Sequence, residues 1–223
     1  LRTDGRADVR GPRLVRRPLA IRADSTKLKS MLEIRQIELG PMANFVYLLA
    51  DSKTKNALVA DPGWDAPAVR RELDKEGWTL GGIILSHNHF DHIGGVGDIL
   101  KFADVPIYIH RHDAPALAKE FAKNLKPFDG GEEIALGSLR LSFLHTPGHT
   151  EGSSCLQIAD RLITGDTLFI GGCGRVDLPG SNPEKMYRTL KKIAALDESL
   201  LIMPGHNYAS KTSAHLAEEK KNN

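Results

Sequence analysis

The side chains able to do chemistry in this chain gather at four places. His87-Asn88-His89-Phe90-Asp91-His92 packs four donors of metal-ligand type into six residues. Neutral imidazoles and carboxylates are what Zn²⁺, Mn²⁺ or Fe²⁺ takes. His87 and His89 alternate along the end of an extended segment, so they point to one side. Asp91 and His92 fall in the turn that follows and can reach a neighbouring point. The Gly94-Gly95 pair just beyond permits close backbone approach. A lone histidine here would be an ordinary core or surface residue. Four donors in this order, straight after an apolar strand, have little packing reason to exist.

Three more donors stand apart. His145-Thr146-Pro147-Gly148-His149-Thr150 turns on Pro-Gly and presents His149, together with His145, from a loop. Thr164-Gly165-Asp166-Thr167 sets a carboxylate at the end of an apolar run, and Met203-Pro204-Gly205-His206 does the same with an imidazole. Taken singly, each is the kind of loop His or Asp that surfaces carry. Taken together, they place a donor wherever a strand stops and a loop starts, which is where scaffolds hold their sites.

The elements that must position these donors are readable from Met31 onward. Leu32 to Leu39 mostly alternates, as a half-buried strand does. Phe45 to Ala50 and Ala57 to Ala60 are apolar runs, the second ending in Asp61-Pro62-Gly63. Ala66, Val69 and Leu73 recur at helical spacing within 65–76. Gly81 to Ser86 reads as a buried strand, followed by a helix at 94–102, a strand at 105–109 and a helix near 113–124. Strands are expected at 140–144, 154–159 and 161–164, then a helix at 183–195 and a last strand at 199–203. Strands outnumber helices and occur both in runs and in alternation with them. That pattern predicts a mixed, layered α/β domain, not a doubly wound parallel sheet.

Length and composition set the frame. The 223 residues, 41% of them hydrophobic, suffice for one large domain with a real core. No apolar run approaches the roughly 18 residues of a membrane-spanning helix. Two cysteines, Cys155 and Cys173, cannot build a disulfide framework and suit a reducing, cytoplasmic setting. Cys155 reads as a small core residue. The net charge of +2 conceals an asymmetry. Residues 1–30 hold nine basic and three acidic side chains, whereas the rest of the chain carries −4. That first segment has no apolar period and is broken by Gly11, Pro12 and Pro18, which predicts a basic, disordered leader ahead of a domain spanning 31–223. Such a leader suits organelle targeting or a nucleic-acid-binding arm; sparse Ser and Thr and three aspartates argue against targeting.

The set HxHxDH, His149, Asp166 and His206 resembles the full ligand set of the metallo-β-lactamase superfamily, over essentially the whole chain from about Met31. The resemblance implies a four-layer αββα sandwich with a two-metal site along one edge of the sheets. By that match His87, His89 and His149 hold one metal, Asp91, His92 and His206 hold the second, and Asp166 bridges them. Zinc is the expected metal, with iron or manganese as alternatives. Two such cations lower the pKa of a shared water and polarise a carbonyl, so no serine or cysteine nucleophile is needed. Asp91 can also take or relay the proton, Asp61 is expected to buttress the ligands, and His145 reads as a supporting or purely structural residue outside the set.

Within the superfamily, β-lactamases of the commonest type carry cysteine where Asp166 stands and no histidine at His92. The GDTLF…GCGR stretch over 164–175 is instead similar to glyoxalase II (hydroxyacylglutathione hydrolase) and to persulfide dioxygenases. That similarity implies that Arg175 binds a glutathione carboxylate through its two-pronged fork. Pro204-Gly205-His206-Asn207-Tyr208 resembles the glyoxalase II end motif and implies that Tyr208 helps bind glutathione. Two features differ. The chain ends 17 residues after His206, so a short form without the helical C-terminal domain of glyoxalase II is expected. Asp177 stands where glyoxalase II has tyrosine, and Gly174 to Leu178 is closer to persulfide dioxygenases and short bacterial hydrolases. The expected function is therefore hydrolysis of an S-acyl thioester such as S-lactoylglutathione, with a small-molecule partner and neither nucleic acid nor membrane. The alternatives are an iron-dependent persulfide dioxygenase, a lactonase or β-lactamase activity, and a non-catalytic metal- or nucleic-acid-binding module using the leader.

Overall fold

A computed structural model describes residues 14–16 and 30–223. Most of the expected leader lies outside the described residues. Its described part, Leu14–Arg16, is a strand (β1) paired antiparallel with β8 (Glu132–Leu136).

The first sheet runs β2-β3-β4-β5-β6-β7, with β2 at Leu32–Leu39, β3 at Asn44–Asp51 and β4 at Asn56–Ala60. It continues through β5 (Thr79–Ile84), β6 (Ile107–His110) and β7 (Leu125–Phe128). The β2, β3 and β4 strands form an antiparallel meander, while β4 to β7 are parallel. Parallel neighbours need crossovers, and helices supply them. These are α1 (Ala66–Glu76), the pair α2 (Phe90–Ile93) and α3 (Val96–Phe102), and α4 (Pro115–Phe121). Helix α1 starts where Asp65 accepts from the Ala68 amide at 3.0 Å and stops at Gly77, whose φ of 65° suits a residue without Cβ.

The second sheet runs β1-β8-β9-β10-β11-β12-β13. Its remaining strands are β9 (Leu139–His145), β10 (Ser154–Ile158), β11 (Arg161–Gly165), β12 (Leu201–Pro204) and β13 (Ala214–His215). Helix α5 (Pro183–Ala194) crosses over from β11 to its parallel partner β12, and α6 (Leu216–Asn222) closes the chain.

Side-chain alternation stacks the layers. In β3, Phe45, Tyr47 and Leu49 face the second sheet and meet Leu141, Phe143 and Leu156, whereas Val46, Leu48 and Ala50 face outward. The outward set is covered by Val69 and Leu73 of α1, Val96 and Ile99 of α3, and Leu117 of α4. On the far side, Ile193 of α5 and Leu216 of α6 pack on Cys155, Leu162 and Ile202. The result is the expected αββα sandwich. Buried Tyr47 also donates to the Pro204 carbonyl at 2.6 Å, which locks the sheets together near the end of β12.

Several expectations shift in detail. Asp91 and His92 lie in a short helix, α2, not in a turn, so the expected helix at 94–102 begins only at Val96. Strand β1, within the segment expected to be disordered, strands β7, β8 and β13 and helix α6 were not expected, and the strand near 199–203 is not the last element.

Candidate metal centre

Four strand ends meet along one edge of the sandwich. Strand β5 leads through Leu85-Ser86 into His87 and His89, and α2 then carries Asp91 and His92. The loop after β9 returns with His149, Asp166 follows the last residue of β11, and His206 stands two residues past β12. Backbone bonds stitch this edge: Ser154 N–H to Ser86 O, Gly205 N–H to Gly165 O, and Phe45 N–H to Gly205 O, at 2.8–2.9 Å.

All seven expected donors converge. His89 Nδ1 lies 3.1 Å from His87 Nε2 and 2.8 Å from His149 Nε2. In the second set, His92 Nε2 and His206 Nε2 are 3.2 Å apart, and each is 3.5 Å from Asp91 Oδ2. Asp166 touches both sets. Its Oδ2 is 3.4 Å from His149 Nε2, and its Oδ1 is 3.4 Å from the Nε2 atoms of His92 and His206.

The far side of each imidazole decides which nitrogen is free. Carbonyls only accept, so His149 Nδ1–H donates to Arg175 O and His206 Nδ1–H donates to Met42 O, both at 2.8 Å. His92 Nδ1–H donates to Asp61 Oδ2 at 3.1 Å. The Ser86 hydroxyl donates to the same carboxylate at 2.6 Å, so it must accept from His87 Nδ1 at 3.0 Å. Four Nε2 lone pairs therefore point inward. Lone pairs that face one another repel unless a cation stands among them. Asp166 Oδ1, buried and without a hydrogen-bond partner among the described residues, makes the same demand. Tetrahedral zinc with bonds of about 2.0–2.1 Å would hold neighbouring nitrogens about 3.3 Å apart, near the spacings seen. The residues present fit two divalent cations, in the groups His87-His89-His149 and Asp91-His92-His206 with Asp166 between them.

The donors also shift one another's ionisation. Burial opposes ionisation of Asp166, yet His92 and His206 overcome it and hold the carboxyl well below its usual range. Burial alone would lower His92, but Asp166 and Asp61 lift it well above an ordinary histidine. His87 goes the other way, driven down by burial and then by neighbouring His92.

Arg175 and Tyr208 sit at the rim. The Arg175 fork is engaged by Asp177 in an exposed bidentate pair with both contacts at 2.9 Å, while its carbonyl orients His149. Tyr208 stacks on His206 with centroids 4.6 Å apart and planes at 13°, leaving its ring largely exposed. His145 lies outside the donor set. Its Nε2 bonds to Glu151 O at 2.8 Å and its ring stacks on His110 at 3.9 Å. Sequence reasoning missed Asn44, whose amide donates to Asp91 Oδ2 at 2.9 Å and to the Asp91 carbonyl at 3.1 Å, and which accepts from Trp64 Nε1. It also missed Ser86. Neither residue carries a sequence signal beyond its place beside a strand end.

A family model described as the metallo-beta-lactamase superfamily matches residues 39–206. The chain belongs to this superfamily. It is 30% identical over 182 residues to BaeB of Bacillus velezensis, described as a probable polyketide biosynthesis zinc-dependent hydrolase, covering 81% of this chain and 80% of that one. It is 38% identical over 177 residues to the hydroxyacylglutathione hydrolase of Alkalilimnicola ehrlichii, covering 78% of this chain and 66% of that protein. Among solved structures it resembles ETHE1 from Myxococcus xanthus, with a TM-score of 0.76 and 30% identity over 86% of this chain and 83% of that one.

Proposed function

We propose that this superfamily member hydrolyses S-acyl thioesters of the hydroxyacylglutathione type, with S-lactoylglutathione the first substrate to test. The observation that carries the reading is Asp166, one oxygen against each donor set, which marks a two-cation site. The likeness to hydroxyacylglutathione hydrolase supports the thioester class, and the likeness to a zinc-dependent hydrolase supports zinc over iron or manganese.

Bound there, the cations would supply hydroxide near neutral pH and polarise the acyl carbonyl. The remaining work falls to the chain. Asp61, Ser86, Met42 O and Arg175 O fix the imidazoles so that their Nε2 atoms keep facing inward. Asp91, held by Asn44, would take the proton released by the attacking water. Arg175 can exchange Asp177 for a substrate carboxylate at little cost, because the pair is exposed to solvent. Tyr208, stacked on His206 and largely exposed, would offer its hydroxyl to the substrate.

A second reading is an iron-dependent persulfide dioxygenase using His87, His89, His149 and Asp166 around one metal. The Arg175–Asp177 pair within Gly174 to Leu178 and the fit to the ETHE1 structure favour it. Metal analysis with a substrate panel separates the two. Two zinc ions per chain with cleavage of S-lactoylglutathione, reduced at least roughly 10²-fold in Asp166→Ala, is the expected result. One iron per chain, oxygen uptake with glutathione persulfide and no thioester cleavage would overturn it.

A further inference from the structure

Buried Asp113 stands outside the donor set and outside the mechanism above. Asp113 is 2% exposed and lies in the turn between β6 and α4, on the first sheet. Among the described residues its side-chain hydrogen bonds come from neutral donors. Its Oδ2 accepts from the Asn88 amide at 3.1 Å and from Thr150 Oγ1 at 2.7 Å, and its Oδ1 accepts from the Gly152 amide at 2.9 Å.

Those three partners are not a random sample of the neighbourhood. Asn88 is the residue between His87 and His89, on the first sheet. Thr150 directly follows His149, and Gly152 closes the same loop, on the second sheet. The loop is braced on its own side as well, where Thr150 N–H and Oγ1 each meet Ser153 Oγ at 2.9 Å. The fit at Gly152 is tight: a Cβ there would lie 2.4 Å from the Asp113 carboxyl carbon, so this loop can approach only as glycine. Asp113 thus ties the backbone of the His87–His89 segment to the Thr150–Gly152 part of the His149 loop by side-chain hydrogen bonds.

We propose that Asp113 is the positioning residue for the first donor set. By holding the Asn88 amide and the Thr150–Gly152 loop on one carboxylate, it fixes the separation at which His87 Nε2, His89 Nδ1 and His149 Nε2 meet. The second donor set is held by Asn44, Met42 O and Asp61 (which also braces His87 through Ser86), none of which touches Asp113. Loss of Asp113 should therefore strike one cation and spare the other. This inference rests on the two-cation reading and on nothing about the substrate.

Step-wise zinc affinities of the full chain, read by competition with a chromophoric chelator and by the visible spectrum of the cobalt-loaded protein, test it. The wild type should show two sites. In Asp113→Ala one dissociation constant should rise by about 10–100-fold, the range for lost outer supports of metal ligands, with the other within about twofold. Its cobalt spectrum should lose one component. Asp113→Asn, which keeps shape but puts an amide donor against either the two donors at Oδ2 or the one at Oδ1, should also weaken the site, whereas Asp113→Glu should recover part of the affinity. Should the alanine variant fail to fold, Thr150→Val removes one of the three bonds to Asp113, together with the Thr150 Oγ1–Ser153 Oγ bond, and should weaken the same site by a smaller factor. Equal weakening of both sites, or unchanged affinities alongside a lowered melting temperature, overturns the inference while leaving the two-cation reading intact. A wild type that binds no metal overturns both.

Discussion

Asp61 shows what one residue must satisfy at once. Its φ of 51° places it in the left-handed region, uncommon outside glycine though tolerated by Asp. From there its carboxylate accepts from Ser86 N–H at 2.7 Å, Ser86 Oγ at 2.6 Å and His92 Nδ1 at 3.1 Å. One ligand of each donor set is thereby oriented, His92 directly and His87 through Ser86. Asp61→Asn keeps the shape but offers one acceptor where two are needed. An amide group facing His92 Nδ1–H would push the proton to Nε2 and spoil its lone pair. The expected outcome is loss of about one metal per chain by elemental analysis, with the circular dichroism spectrum kept. Retention of two metals would show that His92 is oriented by other means. Asp61, His92 and the other donors were legible in the sequence because only their side chains carry that chemistry. The carbonyls of Met42 and Arg175 were not, since every residue has a carbonyl and only the fold says which one faces a histidine.

At the scale of elements, legibility followed periodicity. Strands β2 to β5 and helix α1 announce themselves through alternation or helical spacing long enough to be read. Strand β7 hides because Lys126 and Pro127 interrupt it, and a proline is tolerated only at an edge, which is where β7 sits. Strand β8 hides because its inward positions begin with buried Glu132 before Ile134 and Leu136. Helix α2 is four residues, too short for a helical period, and what places it is contact. Gly95 N–H donates to Pro62 O at 2.8 Å, so the turn after β4 lies against both ends of α2. A Cβ on Gly63 would fall 1.5 Å from Asp91 O. Gly63→Ala must therefore push the turn and α2 apart. Overpacking of about 1–3 kcal/mol corresponds to a melting point lower by about 2–12 °C in a chain of this size. Calorimetry should find that drop together with weakened binding at the Asp91-His92-His206 set. An unchanged melting point would mean that the turn has room the structure does not show.

For the whole molecule, mixed strands and helices pointed to a layered α/β domain, and the ligand-set resemblance supplied the four layers. Which strands share a sheet depends on pairings remote in sequence, such as β1 with β8, and no local pattern encodes these. That pairing also changes what the basic N-terminal segment is expected to do. Residues 1–30 bring an excess of six positive charges to a chain whose remainder carries −4, which on charge alone suggests a binding arm. Yet Leu14 packs against the core between the sheets, and Leu14–Arg16 covers the edge of β8. An uncovered strand edge invites pairing with another copy. Deleting residues 1–30 should therefore leave metal content and thioester kcat/KM within about twofold, because every donor lies beyond residue 86 and on other strands. The same deletion should lower the melting temperature by a few degrees, given about 2–4 °C per kcal/mol at this size, and raise the fraction eluting as oligomer. If hydrolysis is lost while metal content stays at two, the segment takes part in substrate binding, and the division between an edge-covering segment and a self-sufficient catalytic domain fails.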